Sequence, residues 1–339
     1  MKIICSKSNL VKGVSIVSKA VPSKTTMPIL ECILIDATTD IIKFTANDME
    51  LGIETIVEGD IIKKGMIAID ARIFSEIVRK LPDNEVVIEV DDNLQTTITC
   101  EKSKFNISSK DGNEFSYLPY VEKNETITLS QFTLKELIRQ TIFSIADNDS
   151  NKLMTGELFQ IEGNMLRVVS LDGHRISIRK TELKETYGPR KVVVPGKTLM
   201  EVSKILSGEV DSEVIISFTN NHIVFEFDKT IVVSRLIEGE YFRIDQMLSS
   251  DYETKVKINK RELLNCIDRA TLLVKEGDKK PIIINITDAG MELKINSAVG
   301  SMNEEIDIYL VNPKAPCFIR DEEGKYVYLI LPVNFTTVS

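Results

Sequence analysis

Apolar residues recur along the chain at one fixed spacing, three times over. Cys5, Leu10, Val14 and Val21 form the first set, Leu129, Leu134, Ile138 and Ile145 the second, and Ile258, Leu263, Ile267 and Val274 the third, each at offsets 0, +5, +9 and +16. The first position of each set belongs to a short alternating strand. The other three lie close to one face of a helix with 3.6 residues per turn. The pattern therefore predicts a strand leading into an amphipathic helix that runs to Val21, to Ile145 and to Val274. A fixed internal repeat of this length marks one folding unit used several times, which favours a ring, an arc or a scaffold over a single-pocket enzyme.

The strands repeat as well. Ile42, Phe44, Ala46 and Asp48 precede Leu166, Val168, Ser170 and Asp172 by 124 residues, and Leu293, Ile295, Ser297 and Val299 follow 127 residues later. All three sets alternate as half-buried strands do. A second helix is predicted in the first two units, where Ile69, Phe74, Ile77 and Leu81 match Val194, Leu199, Val202 and Leu206 at a shift of 125. Turn residues end both helices, and alternating strands follow at Val86–Val90 and Val214–Phe218. Each unit thus reads as α+β, with helices on one face of an antiparallel sheet. The expected domains are 1–124, 125–252 and 253–339. From Phe44 to Phe105 is 61 residues and from Val168 to Val232 is 64, but from Ile295 to Val327 is 32. Roughly 30 residues, the second helix of the unit, are therefore missing from the repeat between Ile308 and Tyr309. A half-unit without that helix would expose an apolar sheet face, so the expectation is an omitted segment rather than a bonded, repacked half-domain.

Composition narrows the function classes. With 43% hydrophobic and 27% charged residues the chain reads as soluble and globular. It has no run of 18 apolar residues, and its first ten residues meet polar positions too early for a secretory signal. Five scattered cysteines without a CxxC pair read as reduced core residues in a cytoplasm, and two histidines exclude a His-rich metal site. No cofactor is implied. The net charge of −9 argues against a simple basic surface. It leaves room for a local basic lining, because screening confines each field to roughly 10 Å.

Six strings carry a resemblance: Thr26–Leu30 (TMPIL), Asp70–Phe74 (DARIF), Ser170–Ile176 (SLDGHRI), Val193–Lys197 (VVPGK), Ile237–Phe242 (IEGEYF) and Tyr328–Val333 (YLILPV). Their order and spacing, on a threefold repeat, make the chain similar to the bacterial DNA polymerase III beta subunits. The resemblance implies three DNA-clamp domains and a head-to-tail homodimer that closes a ring. Helices line the hole, duplex DNA threads it, and the ring tethers the polymerase without chemistry of its own. Lys12, Lys19, Lys24, Arg79, Lys80, Lys135, Arg139, Lys197, Lys204, Arg261 and Arg269 lie on or beside the helices that would face the hole, where cations attract phosphates without reading bases, and by resemblance Lys24, Arg79 and Lys197 match family positions near the DNA. The resemblance also implies an apolar pocket between the second and third units for a short linear peptide with Gln and Leu-Phe anchors, through which polymerase, clamp loader and repair proteins bind. Met154, Leu171, Gly173, His174, Arg175, Ile176, Phe242 and Met247 would line it, with Leu329, Ile330, Leu331, Pro332 and Val333. Methionines suit a site that accepts several partners.

Lys102, Lys104, Phe105 and Ile107 lie on an alternating strand with basic flanks, and Leu272, Leu273, Glu304 and Glu305 offer the complement. An unpaired edge strand invites another chain, and two copies of a three-unit chain suit a closed ring. Two other readings stay open at this point. Asp172 and His174 suggest a general base, yet no nucleophile motif or phosphate loop accompanies them. A peptide-binding scaffold that never meets DNA would keep the pocket and lack the basic lining.

Overall fold

The computed structural model describes residues 1–119, 121–122, 125–147, 151–248, 259–272, 274, 282–287, 290–296, 301–306, 317–320 and 325–331. Five helices appear among them: α1 (Lys7–Val17), α2 (Ala71–Lys80), α3 (Gln131–Thr141), α4 (Gly196–Ile205) and α5 (Lys260–Thr271). The strands of the first repeat are β1 (Lys2–Ser6), β2 (Cys32–Asp36), β3 (Ile42–Asn47), β4 (Leu51–Val57), β5 (Asp60–Lys63), β6 (Met66–Asp70), β7 (Glu85–Val90), β8 (Gln95–Cys100), β9 (Ser103–Ser108) and β10 (Lys110–Asp111). The second repeat has β11 (Glu125–Ser130), β12 (Gly156–Leu171), β13 (Arg175–Pro195), β14 (Glu213–Phe218), β15 (His222–Phe227) and β16 (Thr230–Arg235). The third has β17 (Ile283–Thr287), β18 (Gly290–Asn296), β19 (Ser301–Ile306), β20 (Cys317–Arg320) and β21 (Tyr326–Ile330).

The chain divides into two compact units. One holds Met1–Asp172 and Ser177–Tyr241, the other Gly173–Ile176 and Phe242–Ser339. The first unit contains a five-stranded sheet, β5-β1-β7-β8-β9, and a nine-stranded sheet, β10-β6-β2-β3-β4-β16-β15-β14-β11. The nine-stranded sheet crosses from one repeat to the next where β16 pairs antiparallel with β4, Val232 opposite Ile53. Thr55 and Thr230 face each other at that seam and share a hydroxyl hydrogen bond of 2.9 Å. Helices and sheets enclose one apolar core built from both repeats, in which Leu10, Val14, Leu134, Ile138, Leu199 and Val202 are buried. The rings of Phe44 and Phe74 meet edge-on at 6.0 Å. In the second unit α5 places Cys266 against Leu293 of the sheet β17-β18-β19, and β20 pairs with β21.

Each repeat's first helix starts on a side-chain cap at the same position. Ser6 accepts from Asn9 N (3.2 Å), Ser130 from Thr133 N (3.1 Å) and Asn259 from Arg261 N (2.9 Å). Such a cap satisfies a backbone donor that has no partner inside the helix. The helix ends differ from the expectation. The α-helices stop at Val17, Thr141 and Thr271, short of the fourth apolar position. There Val21 N donates to Ser18 O, Ile145 N to Ile142 O and Val274 N to Thr271 O, each an i→i+3 bond that closes a terminal turn. The fourth repeat position therefore marks where the chain leaves the helix. Ser297, Val299, Ile308 and Tyr309 lie outside the described residues, as do Leu273, Pro332 and Val333.

Candidate nucleic-acid and partner interfaces

The amphipathic helices bury one side in the core and turn their cations outward. Lys12, Arg79, Lys80, Arg139, Lys197 and Lys204 are exposed, as are Lys24 in the segment between α1 and β2 and Arg261 and Arg269 on α5; Lys19 and Lys135 are half-buried. Several already have partners. Arg139 chelates Glu136 (2.8 and 2.6 Å), and this contact holds the Glu136 carboxyl below its usual range. Lys204 pairs with Glu201 (2.8 Å), and the Arg79 guanidinium bonds Ser75 Oγ (2.9 Å). Arg269 donates to Cys266 Sγ (3.3 Å). Exposed pairs of this kind are worth little in water, so a phosphate can take the cation at small cost.

Lys135 and Lys197 sit differently. Lys135 Nζ donates to Leu206 O (3.0 Å) at the C-terminus of α4, where the helix dipole favours a cation. Lys197 Nζ pairs with Asp48 Oδ2 across the seam between the two repeats. Asp48 Oδ1 meanwhile accepts from Glu50 N (3.0 Å) and Leu51 N (2.7 Å), so one carboxylate orders the β3–β4 turn and fastens it to α4. A second inter-repeat pair joins Lys229 to Glu58, close to Lys12. Sequence periodicity showed none of these partners, because they come from segments more than 60 residues apart.

The Ser170–Ile176 string divides between the two units. Leu171 is buried and Met154 half-buried in the first. In the second, Gly173 takes φ +83, a left-handed conformation that glycine adopts without strain, and leaves Gly173 and His174 exposed, Arg175 half-buried and Ile176 buried. Leu331 N donates to His174 O (2.9 Å), joining this turn to the end of β21. Nearby in sequence Leu329 is buried, while Ile330 and Leu331 keep 38% and 40% exposure. Phe242 is half-buried, Ile244 N donates to Phe242 O, and Met247 is exposed.

One repeat earlier the same connection recurs: Arg235 N donates to Glu50 O (2.9 Å), and Glu50 lies 124 residues before His174. The backbone joint is the same but its surface chemistry is not. Ser234 and Arg235 occupy the strand end where the later repeat has Ile330 and Leu331. An apolar strand end left in water is the kind of surface that a partner covers.

β9 ends its five-stranded sheet, paired with β8 and with no other described strand. Lys102 and Lys104 are exposed, Phe105 is 38% exposed, and Ile107 packs on the core. Its equivalent one repeat later, β16, is paired on both sides. On α5's exit Leu272 is 81% exposed. Glu304 and Glu305 belong to β19, where they pair in register with Leu293 and Glu292.

Comparison with known proteins finds relatives over most of the chain. The chain matches the model of the DNA polymerase III beta subunit, N-terminal domain, over residues 1–119, and that of the central domain over 128–242. It is 36% identical over 320 residues to the beta sliding clamp of Bacillus subtilis (strain 168), covering 90% of this chain and 84% of that protein. A crystal structure from Eubacterium rectale ATCC 33656, described as a DNA polymerase III beta subunit, superposes with a TM-score of 0.95 at 68% identity, over 99% of this chain and 100% of that one. The DNA polymerase sliding clamp from Bacillus subtilis superposes with a TM-score of 0.93 at 32% identity and the same coverage.

Proposed function

Because the chain belongs to the DNA polymerase III beta-subunit family, the beta sliding clamps, we propose that two copies close a ring through β9 and β19. As a sliding clamp it is a non-catalytic processivity subunit, and the Asp172–His174 turn is a structural corner rather than a general base. The observation that carries the ring is the seam between the first two repeats, where the late strand of one repeat, β16, completes the sheet of its neighbour at β4. β9 is the same late strand in the first repeat and lacks such a neighbour among the described residues. β19 stands where β4 stands, in the third repeat. A shift of 127 carries Lys104 to Ile231, and a shift of 251 carries Glu54 to Glu305. Ile231 faces Glu54 in the β16–β4 register. The same register between two copies sets Lys104 against Glu305 and Phe105 against Glu304, one basic strand against one acidic strand.

The domains of this reading are 1–124, 125–252 and 253–339. Lys12, Lys24, Arg79, Lys80, Arg139, Lys204, Arg261 and Arg269 supply a loose phosphate-attracting lining for duplex DNA, with weaker roles for Lys19, Lys135 and Lys197. The apolar strand end Leu329–Leu331, with Gly173–Ile176, Phe242 and Met247, takes a short linear peptide from polymerase and loader proteins in the bacterial cytoplasm. Retention on DNA tests the reading. Once loaded, the protein stays on a nicked circle and is lost from a linear duplex of the same length. Equal loss from both, with peptide binding intact, would leave a scaffold that does not encircle DNA.

A further inference from the structure

Glu157, the second residue of β12, has no exposed surface, and neither carboxyl oxygen has a hydrogen-bond partner among the described residues. Phe159 and Ile161 point from the same face of the strand into the main core, so Glu157 points inward as well. The hydroxyls of this region are committed elsewhere. Thr141 donates to Leu137 O (2.7 Å), Ser170 to Thr141 O (2.6 Å) and Tyr241 to Val169 O (3.5 Å), while Ser144 and Ser177 bond each other (2.6 Å). An ionised carboxylate in such a place is costly. Burial pushes its pKa up to about 8, and the Thr141 hydroxyl nearby opposes this rise. The phenol of Tyr241 is pushed up too, by burial first and by Glu157 second.

Several charged groups on the elements packed against β12 are engaged away from it. On α3, Lys135 holds Leu206 O and Glu136 holds Arg139. On α4, Lys197 holds Asp48 and Glu201 holds Lys204. Lys152 in the preceding turn is exposed, and Arg179 of β13 acts on Glu136. Tyr241 is the titratable group that senses Glu157. Met154 lies three residues before Glu157, and Tyr241 leads directly into Phe242.

We propose that Glu157 is a pH-responsive element of the second repeat: neutral, it packs between α3 and Tyr241, and ionised, it loosens the chain segments that carry Met154 and lead to Phe242. The folded chain holds this proton up to about pH 8, whereas the unfolded chain releases it in the ordinary carboxylate range. Stability therefore falls as pH rises across that window and levels off above it. Thermal unfolding of the full chain between pH 5 and 9 tests this, with Glu157→Gln and Glu157→Met beside the parent. The parent's melting temperature should fall by several degrees more than that of either variant between pH 5 and 8. Parallel profiles for all three proteins would overturn the proposal, and if one variant does not fold the other carries the comparison. The second readout rests on the partner-surface reading: affinity for a fluorescent peptide with Gln and Leu-Phe anchors should drop several-fold from pH 7 to 9 in the parent and stay level in Glu157→Gln. An equal drop in both would overturn the link to Met154 and Phe242. Failure of the peptide to bind at any pH would count against the partner surface, and the thermal comparison would still decide the role of Glu157.

Discussion

Single side chains in this protein act by closing small accounts of charge and hydrogen bonding between segments distant in sequence. Asp48 is the plainest case, with two backbone donors on one oxygen and Lys197 on the other. Asp48→Ala should lower stability by roughly 1–3 kcal/mol, because two turn donors lose their acceptor and a lysine loses its partner. Lys197→Met should cost less, since it leaves the turn donors satisfied; urea unfolding of both variants checks the order. Cys5 shows burial without pairing. Its thiol is pushed up to about 12 by burial and, second, by Asp60. Thiolates are the reactive species, so Cys5 should resist alkylation in the native protein and react only after unfolding. Labelling by iodoacetamide followed by peptide mapping reads this directly, and rapid native labelling of Cys5 would contradict it.

Elements are defined here by how they begin. Ser6, Ser130 and Asn259 cap three equivalent helices, and the residues that follow need only supply an apolar stripe. Ser6→Ala and Ser130→Ala should each cost about 1 kcal/mol, seen as lower denaturant midpoints with unchanged slope. The two substitutions lie in different repeats and touch no common group, so their costs should add. The second helices begin less uniformly. Asp70 caps α2 by accepting from Ile73 N (2.8 Å), whereas α4 follows Pro195 with no side-chain cap. The Asp48 carboxylate, fastened to Lys197 in the first turn of α4, brings a negative charge to that uncapped end.

At the scale of the whole molecule the repeat supplies a rule for assembly. If β9 meets β19 in the register of β16 on β4, Lys104→Glu should weaken the dimer by at least tenfold, about 1.4 kcal/mol. Glu305→Lys should do the same, and the two together should restore association. Sedimentation velocity across a concentration series reads the result, and a double variant no tighter than the single ones would rule out this register. Leu272, exposed at the exit of α5, gives an independent check: Leu272→Lys should also favour the monomer while leaving the melting temperature of the first two repeats unchanged.

The chain's own pattern sufficed to determine the threefold repeat, the α+β class, the strand-to-helix succession and the alternating strands, because these depend on residues within a few positions of one another. It also carried the family, through short strings whose order is preserved. The end of each repeat's first helix was not legible: Val21, Ile145 and Val274 keep the apolar character of the stripe yet lie beyond a tightened last turn. Which cations are free for DNA was equally hidden, since Lys135 and Lys197 are spent on Leu206 and Asp48 by chain segments far away. Only the tertiary structure decided that β16 continues the sheet at β4, and that Glu157 is sealed without a hydrogen-bond partner among the described residues. Periodicity reports which face of an element is apolar; what that face meets, and which polar group is trapped behind it, depend on contacts between elements that no local pattern encodes.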